Sequence, residues 1–219
     1  MKTPRLGLIR VLTTDNLDLL QSHEKIIKRA MPWISVDSRC IPDQFDGVHD
    51  DASEAAAIPK VVALGRKFQE EGFDAVYVSC VGDPGVEILQ RELSIPVIGA
   101  GRATGHSIRA YDIPVGALSI TDEAPGVTPS ILGNLLIKTV RPENIHTTLD
   151  LFRPEAEDEL VVAGEELKAL GARGIMLACT GLATIGIAPK LRERLGIPIF
   201  DPLRCAIGAI YSVLWTEEQ

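Results

Sequence analysis

The sequence predicts an α/β protein of two similar lobes, each a parallel four-stranded sheet flanked by helices. The lobes are expected to be related by a pseudo-twofold axis, with the active site in the cleft between them. Three observations predict this. Short apolar runs alternate with helical patterns from end to end. Two cysteines, Cys80 and Cys179, end strand-like runs in matching contexts, "AVYVSCVG" and "GIMLACTG". Landmarks also recur in the same order in both halves.

The first lobe is expected over 1–100, with strands at 6–11, 33–37, 75–79 and 96–99. The runs "LGLIRV" and "AVYVS" are short and apolar, as strands covered on both faces are. Helical patterns lie between them at 15–31, 51–71 and 84–93. The second lobe, 101–201, opens with a helix at 102–111. Its strands are expected at 114–119, 145–149, 174–178 and 198–200, with helices at 124–139, 154–170 and 187–195 between them. A C-terminal helix within 202–219 is free to return to either lobe, packing on the first being one option.

The duplication is read from three pairs. A strand ends in "TTD" at 13–15 and in "ITD" at 120–122, an offset of 107. Cys80 and Cys179 are 99 apart, and each follows a glycine eight positions upstream. "IPVIG" at 95–99 and "IPIFD" at 197–201 give an offset of 102.

Bulk properties exclude several classes. The 219 residues are 46% apolar and carry a net charge of −8. Nucleic acids and anionic membranes call for a basic surface, so neither is expected as a partner. A small-molecule substrate remains, and homo-oligomer formation is left open. Cys40, Cys80, Cys179 and Cys205 form no CxxC pair and no metal-ligand spacing, and His23, His49, His106 and His146 show none either. The opening stretch "MKTPRLGLIRVLTTD" lacks a long apolar signal core, and the run 205–215 is too short to span a bilayer. A cytoplasmic protein with reduced thiols, no metal and no cofactor is the expectation.

In parallel sheets, ligand groups collect at the carboxyl ends of strands. A single cysteine there reads as a small buried hydrophobe. Two at equivalent positions of facing lobes point into one cleft from opposite sides. That suits inversion of a carbon beside a carbonyl: one group removes a proton from one face, and the other returns one to the opposite face. The resulting carbanion needs donors at the carbonyl oxygen, which the backbone N–H groups of Val81, Gly82, Thr180 and Gly181 can supply. The field at the start of the following helices is expected to lower a thiol pKa.

"SCVGDPG", "IPVIGAG", "LACTGL" and "IPIFD" resemble the two cysteine motifs of the aspartate/glutamate/hydantoin racemase superfamily. The first motif, with Asp-Pro-Gly at 83–85, is most similar to that of hydantoin racemases, as is "HDDASEAAAIPKVV" at 49–62. The resemblance covers essentially the whole chain. It implies a cofactor-independent racemase with Cys80 and Cys179 as its two bases, and substrate donors at Thr13, Thr14, Ser119 and Thr121. The first strand departs from the hydantoin racemase pattern, ending in "RVLTT" rather than Asn-Pro-Asn. Cys179 is followed by Thr180-Gly181-Leu182 rather than Ala or Gly and then Gly-Met. An amino-acid racemase, a decarboxylase, a cis–trans isomerase and a non-catalytic metabolite-binding protein are the alternatives.

The remaining features read structurally. Asp83-Pro84 and Asp201-Pro202 fit N-caps with proline in the first helical turn. Arg10 reads either as an anion contact or as a salt-bridge partner, and the salt bridge is the expectation. "GAGRATG" at 99–105 has the wrong spacing for a dinucleotide fingerprint and reads as a turn, and Cys40 and Cys205 read as packing residues.

Overall fold

The computed structural model describes residues 3–215, so positions 216–219 of the expected C-terminal helix lie outside the described residues. In chain order the first half runs β1 (Arg5–Arg10), α1 (Leu17–Ala30), β2 (Ser35–Cys40), α2 (Asp51–Glu70), β3 (Ala75–Ser79), α3 (Val86–Glu92), β4 (Val97–Gly99) and α4 (Ala100–Arg109). The second half runs β5 (Val115–Leu118), α5 (Thr128–Leu132), β6 (Leu136–Val140), α6 (Ala156–Ala169), β7 (Gly174–Leu177), α7 (Thr180–Thr184), α8 (Ala188–Leu195), β8 (Ile199–Phe200) and α9 (Pro202–Leu214). Every strand pairing among the described residues is parallel. The strand orders are β2-β1-β3-β4 and β6-β5-β7-β8, the same topology twice.

Helix starts follow local chemistry. Asn16 caps α1, its side chain accepting from the N–H groups of Asp18 and Leu19 at 3.0 and 3.1 Å. Asp50 and Ser53 form a reciprocal capping box on α2. Asp201 caps α9 through Leu203 N–H at 2.9 Å, with Pro202 in the first turn as the sequence implies.

Asp83 behaves otherwise. Gly85, in the left-handed region at φ 73°, precedes α3, and Pro84 stands outside that helix. The Asp83 carboxylate instead accepts from the N–H groups of Gly101 and Arg102, at 2.8 and 2.7 Å, on the first turn of α4. It ties the loop after Cys80 to the next strand–helix junction, and the small residues of "GAG" at 99–101 make room for it. A Cβ on Gly99 would stand 2.5 Å from the Asp83 side chain, and one on Gly101 would stand 2.1 Å from the Val81 carbonyl oxygen.

The second half departs from expectation in one place. The helix expected over 124–139 is only five residues long. Gly126 and Gly133 adopt positive φ on either side of it, at 62° and 54°, a conformation that glycine takes readily and that a continuous helix does not contain. "LIKTV" then pairs with β5 as the edge strand. The strand expected at 145–149 is a loop. The Asp150 carboxylate accepts from the N–H groups of His146 and Thr147 at 2.8 Å each, folding the chain back on itself as short polar side chains do in turns.

Each sheet is buried on both faces. Helix α9 returns to the first sheet, where Leu203, Ala206, Ile210 and Leu214 pack with Leu6, Leu8, Ile27 and Tyr77. Ala183 of α7 joins the same cluster, so a short helix of the second half is seated in the core of the first.

The duplication extends to close packing that no motif displays. A Cβ on Gly7 of β1 would lie 2.4 Å from the Phe68 ring of α2, and one on Gly116 of β5 would lie 2.6 Å from Leu167 of α6. A Cβ on Gly65 of α2 would lie 2.6 Å from Leu89, and one on Gly164 of α6 would lie 3.0 Å from Leu195. Each half thus uses a glycine to bring its central strand and main helix together, and a second to seat the following helix.

Phe68 is fully buried and held edge-to-face against Phe73 at 4.7 Å, so it has little room to yield. Gly7→Ala is therefore expected to lower unfolding free energy by about 1–3 kcal/mol, the usual cost of overpacking. In the interior of α9, a Cβ on Gly208 would meet nothing within 4 Å. Gly208→Ala should instead stabilise by up to about 1 kcal/mol. Urea unfolding midpoints of the two variants check both signs.

Candidate active site

The carboxyl ends of the two sheets open onto one cavity of about 1060 Å³, lined by Cys80 from the first half and Cys179 from the second. Its walls meet where a Cβ on Gly126 would come within 2.4 Å of the Gly82 carbonyl oxygen, and one on Gly47 within 3.2 Å of Thr148 Oγ1. At the rim stand three exposed apolar side chains, Phe45, Leu149 and Phe152.

Hydrogen bonds across the seam fix the two cysteine-bearing ends. The Thr180 hydroxyl donates to the Ser79 carbonyl at 3.1 Å, linking the residue after one cysteine to the residue before the other. Beside it lies His23, fully buried. Its Nδ1 is 2.8 Å from Ser79 Oγ and its Nε2 is 2.7 Å from Thr184 Oγ1. A neutral imidazole supplies one donor and one acceptor. Burial, reinforced by the Arg10 charge, holds this ring well below the usual histidine range. It is an uncharged bridge between the halves.

Burial dominates both thiols, contrary to the lowering expected from the helix starts. It pushes Cys179 up to about 11, against the N–H groups of Gly181 and Leu182 and the Arg10 guanidinium, which pull it down. Gly181 N–H lies 3.3 Å from Cys179 Sγ. Cys80 is raised further, again by burial first; the Gly82 N–H favours its thiolate, while Cys179, Asp83 and Glu54 oppose it. Asp83, behind the Cys80 loop, is itself pushed up to about 7 by burial. Cys179 is the easier of the pair to ionise.

The other expected site residues divide. Val81, Gly82, Thr180 and Gly181 line the cavity, as do Thr13, Thr14 and Thr121. The Thr13 hydroxyl is already engaged, donating to the Ile41 carbonyl at 2.6 Å and accepting from Gln44 N–H at 2.8 Å. Thr14 Oγ1 accepts from Asn16 N–H at 3.1 Å, and its proton stays available. Ser119 is fully buried outside the cavity lining, its hydroxyl 2.8 Å from that of Thr121. Cys40 and Cys205 do not line the cavity, and Cys205 packs against the core of the second half.

Arg10 also lines the cavity, and the salt bridge expected of it is absent: among the described residues it has no carboxylate partner. Glu54, one turn into α2 within the "HDDASEAAAIPKVV" segment, is a second lining residue that the sequence does not single out as a site residue. It lies 3.4 Å from where a Gly82 Cβ would be, and burial and Asp51 raise its pKa. Among the described residues no group of three or more His, Cys, Asp or Glu is gathered to hold a metal, and no helix is long and apolar enough to cross a membrane.

Comparison with known proteins agrees with this architecture. A profile of the Asp/Glu/Hydantoin racemase family matches residues 16–210. The hydantoin racemase of Paenarthrobacter aurescens is 26% identical over 187 residues, covering 79% of this chain and 74% of that protein. A hydantoin racemase from a Pseudomonas species is 27% identical over 192 residues, covering 84% and 72%. The structure of allantoin racemase from Pseudomonas fluorescens superposes with a TM-score of 0.81 at 20% identity, covering 96% of this chain and 90% of that one. The chain belongs to the Asp/Glu/hydantoin racemase family and is an isomerase of the racemase type.

Replacing His23 with Leu leaves the Ser79 and Thr184 hydroxyls only their long contacts to the Tyr77 hydroxyl at 3.4 Å and the Thr180 carbonyl at 3.3 Å, and unfolding free energy should fall by about 1–3 kcal/mol at pH 8. The gap should narrow with acid. The folded ring stays neutral while the unfolded one titrates at about 6.5, so the wild type loses this contribution below that pH. Asp83, raised to about 7 in the fold, works in the opposite sense between about pH 4 and 7. It is common to both proteins and cancels in the difference. Urea titrations of both at pH 8 and pH 5.5 check this; a gap independent of pH would mean that the ring is not held neutral.

Proposed function

We propose that the chain is a cofactor-independent racemase that inverts a carbon beside a carbonyl, with Cys80 and Cys179 as its two acid/base groups. The substrate is a hydantoin or a related compound with an acidic C–H. One observation carries the reading: two cysteines at the ends of topologically equivalent strands line a single cavity. Membership of a racemase family supports it.

The electrostatics support a direction of travel. In the reactive, singly ionised form Cys179, favoured by two N–H groups and the Arg10 charge, carries the thiolate, and Cys80, disfavoured as an anion, the thiol. The Cys179 thiolate takes the α-proton from one face, and the electron pair of the broken C–H bond passes into the adjacent carbonyl. Cys80 then gives its proton to the opposite face. The enzyme is left with a Cys179 thiol and a Cys80 thiolate, the form that acts on the other enantiomer. Raised thiol pKa values help here, because they narrow the gap between base and carbon acid once the thiolate has formed. The Thr14 hydroxyl and the backbone amides near the cysteines are the candidate donors to the enolate oxygen.

Substituted hydantoins, free amino acids and maleate, screened for loss of optical rotation or for new product, identify the substrate class. With a racemisable substrate in hand, Cys80→Ser and Cys179→Ser should each lose racemisation by at least about a hundredfold, the usual contribution of a positioned acid/base group. In D₂O each variant should exchange the α-hydrogen of one enantiomer without inverting it, and the two should choose opposite enantiomers. Variants that exchange the same enantiomer would refute opposed bases. Release of CO₂ or a new double-bond geometry would reassign the reaction to a decarboxylase or a cis–trans isomerase.

A further inference from the structure

We infer that Arg10 is the anion-binding residue of the cleft and that the substrate presents a carboxylate to it on the Cys179 side. This rests on the cleft being the substrate site, and it names the substrate's charge, which the racemase reading leaves open.

Arg10 is 3% exposed. A buried charge is normally paired, because desolvation without a counter-charge is costly. Several more exposed arginines of this protein find carboxylates: Arg39 pairs with Asp37 and Glu71, Arg141 with Asp122, Arg153 with Glu159 and Arg204 with Asp201. The chain has 30 acidic residues to draw on, yet none of the described ones pairs with Arg10.

Its geometry is that of a fixed donor. Nη1 donates to the Leu19 carbonyl at 2.7 Å, the Leu20 carbonyl at 3.2 Å and Ser22 Oγ at 3.0 Å. These three acceptors on α1 set the guanidinium plane. Nε and Nη2 make no hydrogen bond among the described residues, and neither is sealed from solvent in the cavity that Arg10 lines. A planar fork with two free N–H-bearing nitrogens on one side matches a carboxylate. Burial lowers the Arg10 pKa to about 10, which leaves it charged at neutral pH.

Two comparisons within the molecule place the charge. Arg10 ends β1 in register with Ser79, the residue before Cys80. Counting from the matched glycines Gly7 and Gly116, the same position at the end of β5 is Ser119, which is neutral. The scaffold therefore does not need a cation there. Across the cleft, Glu54 stands against the Cys80 loop. The Arg10 charge favours an anion at Cys179 and the Glu54 charge opposes one at Cys80, so a substrate carboxylate is expected on the Arg10 side.

The test compares alkylation of Cys179 by iodoacetate and iodoacetamide, followed by mass spectrometry at one fixed pH. In both reactions the thiolate displaces iodide, so the thiolate fraction cancels in the ratio of rates and the reagent's charge remains. Relative to glutathione, the iodoacetate-to-iodoacetamide ratio at Cys179 should be raised about tenfold, as a charge-assisted contact implies. Arg10→Met should abolish the excess, and Arg10→Lys should keep part of it. If Arg10→Met does not fold, the wild type decides: malonate should protect Cys179 from iodoacetamide, and the neutral malonamide should not. A ratio unchanged in Arg10→Met, or equal effects of malonate and malonamide, overturns the inference. The assay needs no turnover. A charge-selective cleft without racemisation would count against the proposed reaction alone, and an active racemase with a charge-blind cleft against Arg10 alone.

Discussion

The hydrogen bond from Thr180 to the Ser79 carbonyl is where two copies of one scaffold become a single site. Without a fixed relation between the ends of β3 and β7, two cysteines at equivalent positions would be two unrelated thiols. The bond does not act alone: the neutral His23 spans the same junction from α1, reaching Ser79 on one side and Thr184 on the other. Ala183 seats α7 in the apolar core beneath. Backbone, imidazole and hydrophobic contact all cross at one place, and the cavity opens beside it. A polar group this deeply buried is tolerable only when both of its ends are satisfied, which makes the seam as specific as it is stable.

The same burial sets the chemistry. A site drawn away from bulk water strengthens every dipole aimed into it, but it also penalises the thiolates that a two-base mechanism uses. At both cysteines burial outweighs the amides: the N–H groups of Gly181, Leu182 and Gly82 moderate the penalty without cancelling it. A thiolate in the free protein is therefore a minority species.

Much of this is legible in the sequence. Alternating apolar runs and helical patterns predict the two parallel sheets, and the repeated context of Cys80 and Cys179 predicts the shared cavity. Edge strand β6 is hidden because an apolar stretch interrupted by glycines has no clear period, while the β-branched "IHTT" segment looks like a strand until Asp150 turns it into a loop. Asp83 satisfies every local sign of an N-cap, yet it caps a helix 18 residues away, a relation no window can reveal. The paired glycines that seat Phe68 and Leu167 are ordinary as letters and matter only through what approaches them. Arg10 escapes for the same kind of reason: pairing is a property of neighbours in space, and a strand-end arginine in an acidic protein is normally paired.

Duplication by itself would make the two thiols equivalent, and the difference between them traces to strand ends that diverged. Arg10 and Ser119 occupy matching positions, so only Cys179 is favoured as an anion by a nearby cation, while Cys80 faces Asp83 and Glu54. In an empty cleft that inequality decides which thiol loses its proton more readily, and so which enantiomer the singly ionised form is ready to accept. A racemase must run both ways. A carboxylate seated on Arg10 would offset the charge that favours the Cys179 thiolate and bring the two thiols closer in energy at the moment when the proton has to be exchanged between them. The unpaired arginine then has two linked consequences. In the free enzyme it biases the site towards Cys179 as the base, and in the complex its neutralisation by a substrate carboxylate relaxes that bias.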